Sequence, residues 1–524
     1  MIPEQSILRT FRLSAMLVAC CVCYGSSGVP SRALAGDIQP YNVVLIVVDT
    51  LRPDYLGCYG DSRQMSPGID VLATDGILFE IALAHSPSTG PSHASLFTSR
   101  LPSETGVLNN MRARVSSRLP MLAELLRARG YSTGAAVSIS PVSRKYGFGR
   151  GFDTYDDRLD KAWIINADVV LPRSLQILTD LQAPCFFWAH FSDPHEPYDA
   201  HGLMEHTATV TVAGDTVASI PTSRYSPTLL ELELPEGETE VVLSSPHPII
   251  VRNLALRNLD GELPTLTPAR PPVGAYEECR FIIGAAGARR VGLALGLVDL
   301  ILDEAERQDR YAREVAFTDR HVGRLLDALR ERDLYEESLI VFTADHGEAL
   351  GCHGRVGHIE TVYDCMVRIP LIIKPPRSFG LEAGMRRSDP AALVDILPTI
   401  LAQLDLPIPA DTRGRDLLAP GAVQVHPVIF LETHTPEAER TLYGLRGERY
   451  KIIWCPDQES WEFYDLVADP GEKSNLYSLS DSLAVVWRDR LREHIAWLEQ
   501  VSAMELEEVP LDAKTIETLE SLGY

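Results

Sequence analysis

Asp49 closes an apolar run, Asn42–Val48, and Asp345, His346 and Gly347 close a second one, Leu339–Ala344. A carboxylate in such a place offers a hard oxygen to a divalent cation, and an Asp-His pair offers one oxygen and one nitrogen. Gly347 permits a tight backbone turn beside them. Thr89 opens the stretch Thr89-Gly90-Pro91-Ser92-His93, where Gly90-Pro91 marks a turn and Pro91 suits the first helical position. Thr89 then sits at a helix N-terminus, where free amides and the helix dipole favour an anion and a lowered hydroxyl pKa. Each feature also has a purely structural reading: a loop-capping Asp, a polar strand end and an N-cap Thr. None of the three decides for chemistry alone. All three fit the rule that sites in open α/β sheets form beyond the carboxyl ends of strands.

Asn42–Val48 is largely β-branched and reads as a strand buried on both faces, as in a parallel sheet. Gly134–Ser138, Cys185–Phe191, Leu339–Ala344 and Ile369–Ile373 are further short apolar runs. Leu119–Arg129 has helical periodicity and stops at Gly130. Tyr311–Arg330 places Val315, Val322, Leu325, Leu326 and Leu329 at helical spacing. Strands alternating with helices predict an α/β layered sheet with helices on both faces, over residues 37–420. Residues 201–290 break the rhythm. Thr207–Val212 and Leu229–Leu234 alternate, and Glu240–Leu243 and Ile249–Asn253 are short β-type runs between Pro, Gly and Ser clusters. They predict an inserted β-rich module whose role is open: glycan binding, a spacer or a lid. Val428–Leu431, Lys451–Trp454 and Trp461–Tyr464, with a helix over Arg488–Leu498, predict a small C-terminal α/β subdomain over 421–500. The acidic tail 501–524 reads as a solvated face.

The chain has 524 residues and a formal net charge of -24. That length supports a large core with smaller units attached. The acidic balance excludes a nucleic-acid partner, which needs clustered Lys and Arg. It also calls for a local cation wherever an anionic ester docks. Arg9 and Arg12 before the apolar run Leu13–Cys23 predict an export signal over 1–36, because the run is short for a bilayer span. Two processing sites compete: Ala33-Leu34-Ala35, and a lipobox-like Leu17-Val18-Ala19-Cys20 that would tether the chain to a membrane through Cys20. The expected location is periplasmic or extracellular. None of the six cysteines beyond the export segment forms a C-x-x-C pair, and spacing does not reveal disulfide partners.

Asn42–Gly60 (NVVLIVVDTLRPDYLGCYG) resembles the opening strand of the sulfatase family within the alkaline-phosphatase superfamily. Thr89–Pro102 (TGPSHASLFTSRLP) resembles that family's C/S-x-P-S-R-x-x-x-x-T-G signature. His190–Tyr198 (HFSDPHEPY), Phe342–Glu348 (FTADHGE), Tyr363–Pro370 (YDCMVRIP) and Phe463–Leu476 (FYDLVADPGEKSNL) resemble its later segments, in the same order. The resemblance implies that Asp49, Asp345 and His346 hold one divalent metal ion: manganese, zinc or calcium. It places Thr89 at the nucleophile position, bridging to that metal, and His93 where the signature has Arg. It makes His195 and His358 contacts of the substrate or leaving group, with His353 a weaker candidate in the same loop.

Two departures matter. Sulfatases need Cys or Ser at the nucleophile, which an enzyme oxidises to formylglycine, and Thr89 cannot form that aldehyde because its β-carbon carries a methyl group. Unmodified Thr serves in the superfamily's phosphatases, phosphodiesterases and phosphoglycerol transferases. The leading expectation is therefore phosphoester hydrolysis or phosphotransfer through Thr89, on an anionic small-molecule, glycan or lipid ester. The alternatives are a sulfatase working without formylglycine, and an inactive binding protein. The second departure is Thr50, where sulfatases commonly carry a further Asp, which favours manganese or zinc over calcium. Asp193, His195 and His358 could supply a second ion, but the D-x-x-x-H spacing of two-metal relatives is absent, which favours one.

Overall fold

The computed structural model describes residues 41–159, 163–196, 198, 207–221, 228–234, 237–258, 265–267, 275–285, 289–299, 304–419, 428–435, 440–501 and 509. The export segment with Cys20, the boundary expected near residue 420, and the acidic tail apart from Val501 and Val509 lie outside the described residues.

Among the described residues a nine-stranded mixed sheet forms the centre. Its order is Met385–Arg387, Ile77–Leu83, Arg368–Lys374, Ser338–Ala344, Asn42–Val48, Cys185–Phe191, Ser132–Ala136 and Thr154–Asp156, with Ala391–Ala392 also on Ile77–Leu83. Asn42–Val48 runs parallel to both neighbours, while Arg368–Lys374 is antiparallel to both of its own. Every residue of Cys185–Phe191 and Ser338–Ala344 is buried. Successive side chains point to opposite faces, so both faces of these strands are covered. Trp188 packs against His93 and Phe97 of the helix Thr89–Thr98. A side chain at Gly134, on the neighbouring strand, would collide with Ile177 of the helix Ala167–Asp180.

Sequence reading misplaced several boundaries. The helix expected over Leu119–Arg129 is confined to Leu122–Arg127, because Pro120 disfavours helical geometry at Leu119. The helix expected over Tyr311–Arg330 spans Glu304–Glu331. Strands Ile77–Leu83 and Arg440–Arg446 were not foreseen.

Among its described residues the inserted region forms its own seven-stranded antiparallel sheet, closed over a small core that includes Val210, Leu232, Val241, Phe281 and Leu293. Its last strand, Arg289–Asp299, runs past residue 290. The two runs expected at Glu240–Leu243 and Ile249–Asn253 are one strand, Gly237–Asn258. Pro246 and Pro248 fall between Ser244 and Ile249, where pairing with Ala275–Ala285 is interrupted by a bulge. Proline has no N–H to give a ladder, and the bulge asks for none.

The C-terminal region is a four-stranded antiparallel meander, Ile429–Thr435, Arg440–Arg446, Tyr450–Cys455 and Ser460–Asp465, with the helix Ser482–Val501 packed on it. Lys451 is fully buried there, 2.9 Å from Asp364 and 2.8 Å from Glu472. Glu472 also accepts the Asp364 amide at 2.6 Å. Burial pushes the Asp364 carboxyl up, but Lys451 and then Arg446 more than offset this and hold it well below the usual carboxylate range. The cluster ties the meander to the segment just after His358. Lys451→Met leaves buried Glu472 without its cation and Asp364 with Arg446 alone, and breaking a buried ion pair costs about 3–5 kcal/mol. Urea unfolding should show a loss of that size, and a change below about 1 kcal/mol would refute the clamp.

Candidate active site

Strand register builds the site. Val48 lies beside both Ala344 and Phe191 across the two parallel ladders. The following residues, Asp49, Asp345 and Ser192, therefore leave the sheet at one edge. Thr50 takes a left-handed backbone (φ 56°) just after Asp49, a conformation that costs energy in a β-branched residue and often marks a functional site. Tyr311 fixes it by donating to Thr50 O at 2.7 Å.

Asp49, Asp345 and His346 are completely buried, and one donor atom of each lies within 4.8 Å of the others. Asp345 Oδ1 accepts the amides of Thr50 (3.2 Å) and His346 (2.8 Å). His346 Nδ1 donates to Gly347 O at 2.9 Å, so Nε2 presents a lone pair. That nitrogen is 3.7 Å from Asp49 Oδ1, 3.5 Å from Asp345 Oδ2 and 3.3 Å from Thr89 Oγ1. Both Asp49 oxygens and Asp345 Oδ2 lack any hydrogen-bond partner. Burial first, then Asp345 and Glu348, push the Asp49 carboxyl well above its usual range. Burial lifts Asp345 to about 6, and burial followed by His358 lowers His346 to about 3. Buried carboxylates without donors need a cation. These residues, with the Thr89 hydroxyl, fit a divalent ion with mixed oxygen and nitrogen ligands. Thr50 adds no ligand, since its hydroxyl donates to Asp49 O at 2.8 Å.

Thr89 is the first residue of the helix Thr89–Thr98, after extended Ser88. Pro91 is therefore its third residue, not its first. It is tolerated because the first helical amides have no partner within the helix. The Gly90 amide instead donates to Asn110 Oδ1 at 2.7 Å. His93, one turn on, donates from Nδ1 to Thr89 O at 2.8 Å and stands 3.6 Å from Asp345 Oδ2. It thus faces the carboxylate cluster.

His195 and His358 come together, ring centroids 4.9 Å apart, and His358 is 4.6 Å from His346. His195 Nδ1 donates to Glu196 O at 2.7 Å. His358 Nδ1 lies 3.3 Å from Glu348 Oε2. Burial lowers His195 to about 3, with His358 as a second cause, and lowers His358 to about 4. Burial raises fully buried Glu348 to about 7. Glu348 was missed in the sequence although it ends the quoted FTADHGE run. Fully buried His190 was missed as well, because an unbroken apolar strand gives no sign of which face a residue takes.

Three further residues named from the sequence have defined surroundings. His353 is exposed and stacks on Tyr363 at 3.7 Å, apart from the histidine cluster. Asp193 accepts the Ala167 amide (3.0 Å) and the Thr318 hydroxyl (3.4 Å), so its oxygens serve a helix start rather than a second ion with His195 and His358. Gly347 has no left-handed backbone; it is required because a Cβ would lie 2.4 Å from Cys365 O.

The loop that carries His358 is bounded by a Cys352–Cys365 disulfide with a sequence separation of 13. A loop of that size implies about 3 kcal/mol of stabilisation. Cys352→Ser with Cys365→Ser should lower stability by about that amount and speed amide exchange at 353–363. Unchanged exchange there would show that the disulfide does not hold the loop.

The sulfatase family profile matches residues 41–406, and the N-sulphoglucosamine sulphohydrolase C-terminal profile matches residues 354–500. The N-acetylglucosamine-6-O-sulfatase of Bacteroides thetaiotaomicron is 23% identical over 524 residues, covering 91% of this chain and 88% of its own. The iduronate 2-sulfatase of Mus musculus is 26% identical over 469 residues, covering 78% and 76%. The phosphonate monoester hydrolase of Agrobacterium radiobacter shares the fold, with TM-score 0.60, 20% identity and coverage of 88% and 96%. The matched stretch holds Asp49, Thr89, Asp345 and His346 at one edge of the central sheet, and the chain belongs to the sulfatase family, as an ester hydrolase of the alkaline-phosphatase superfamily.

Proposed function

We propose that this hydrolase acts on phosphoesters, by hydrolysis or phosphotransfer, with unmodified Thr89 as nucleophile. The observation that supports this most is the placement of the Thr89 hydroxyl, 3.3 Å from His346 Nε2 in the pocket of Asp49 and Asp345. A β-carbon bearing a methyl group excludes the aldehyde route. Asp49, Asp345, His346 and Thr89 would hold the divalent ion, which lowers the hydroxyl pKa and offsets phosphoryl charge. Thr89 Oγ1, having lost its proton to solvent, forms a bond to phosphorus while the bond to the leaving oxygen breaks, giving a phospho-threonine. The His358–Glu348 pair holds a proton near neutral pH and passes it to the leaving oxygen. Water then attacks the same phosphorus and returns a proton to that pair, and the Thr89 oxygen leaves and regains its proton from solvent. His195, fixed through its Nδ1, orients the leaving side of the ester.

A second reading, sulfate-ester hydrolysis through the same hydroxyl, is favoured by the sulfatase names of the relatives. An exported chain with a substrate among small-molecule, glycan or lipid esters, and a possible tether through Cys20, completes the proposal. The test is hydrolysis of matched aryl sulfate, phosphate monoester, phosphate diester and phosphonate, each with calcium, manganese and zinc. Phosphoester turnover supports the first reading. Sulfate turnover alone overturns it in favour of the second.

A further inference from the structure

Asp345 faces a second set of donors. One ring nitrogen each of His93 and His190, with one Asp345 oxygen, lie within 4.8 Å of one another, and all three residues are completely buried. His93 comes from the helix Thr89–Thr98 and His190 from the strand Cys185–Phe191, so distant parts of the chain converge here. The rings are 4.9 Å apart. His93 Nδ1 must carry a proton, because its partner at 2.8 Å is a carbonyl, Thr89 O. His190 Nδ1 is engaged with Ser138 Oγ at 2.8 Å. The opposite nitrogens, His93 Nε2 and His190 Nε2, have no hydrogen-bond partner, and neither has Asp345 Oδ2. His93, anchored through Nδ1 to a carbonyl with Nε2 bare, is oriented as metal-binding histidines are, and His190 matches it when its Nδ1 donates to Ser138 Oγ. Orphaned buried polar atoms are costly unless something occupies the space between them.

We propose that His93, His190 and Asp345 bind a second divalent cation, with Asp345 shared between it and the ion of Asp49 and His346. Two imidazoles and a carboxylate suit zinc. The site is separate from the set Asp193, His195 and His358, whose Asp193 is turned to a helix start. Through the bond from His93 to Thr89 O, this cation would stiffen the backbone that carries the nucleophile.

The full chain, stripped with a chelator, reloaded with zinc chloride and desalted, should carry two zinc ions per chain by mass spectrometry. His190→Gln should carry one, with an unchanged near-ultraviolet dichroism spectrum. One zinc in the wild-type chain, or two in H190Q, overturns the proposal. If H190Q does not fold, cobalt(II) chloride titration of the wild-type chain decides. Visible absorption saturating at two equivalents supports the site, and saturation at one overturns it. One ion with ester turnover intact would remove the second cation and leave the Thr89 chemistry standing.

Discussion

Thr89→Ala is expected to lower ester turnover by about 10³- to 10⁶-fold, the range seen when a covalent nucleophile is removed from an otherwise intact site. The loss should fall on kcat, because Asp49, Asp345 and His346, which would hold the ion that offsets substrate charge, remain. Thr89→Ser keeps the hydroxyl and should keep turnover. Trapping adds a direct readout: acid quench during phosphoester turnover should leave phosphate on Thr89, found by peptide mass spectrometry. If T89A retains activity within about tenfold, attack comes from water. His195, His358 and Glu348 would then have to activate that water, and the nucleophile assignment fails.

Removal of the metal is expected to have the second large effect, on both activity and stability. Losing several kcal/mol of charge stabilisation corresponds to about 10³-fold or more in rate. Binding at a thousand times Kd contributes about 4 kcal/mol to folding, so chelation should lower Tm markedly. The pH dependence of the stripped protein has a definite sign. Burial raises the folded Asp345 carboxyl to about 6 and puts Asp49 well above its usual range, while unfolded Asp titrates at about 3.9. The folded state binds these protons more tightly. Their stabilisation is therefore complete below about pH 4 and is lost as pH rises through about 6 and beyond. Asp49→Asn removes one of the two like charges. It should abolish activity, yet make the stripped protein more stable at pH 7 than the stripped wild type. Melting curves at pH 4–8 for both, with and without chelator, check this. A stripped wild type whose Tm does not fall across that range would show that the carboxylates are compensated by something other than a cation.

Much of the layout was legible in the chain itself. Asn42–Val48 and Leu339–Ala344 are short apolar runs ending in Asp49 and Asp345, and strand ends of this kind are local features that hydrophobic pattern reveals. The ordered sulfatase-like segments single out Thr89, His346, His195 and His358 from the sequence alone. The methyl group of Thr89 excluded the aldehyde by covalent chemistry alone.

Other features depend on contacts between segments far apart in the chain. The pairing of Val48 with Ala344 brings Asp49 beside Asp345, and no local pattern states a register. Pro246 and Pro248 read as strand breakers, yet the strand passes through them because the partner leaves a bulge. Glu348 belongs to the site because it is buried against His358, while Asp193, close to His195 in sequence, is drawn to the Ala167 amide. His190 matters through its face of the strand, opposite His93, and the Cys352–Cys365 bond through a fold that joins loop ends. Residue types and spacing determined which groups could do chemistry. Strand register, side-chain facing and burial decided which of them share one buried site, because these follow from pairing across long sequence separations rather than from neighbours in the chain.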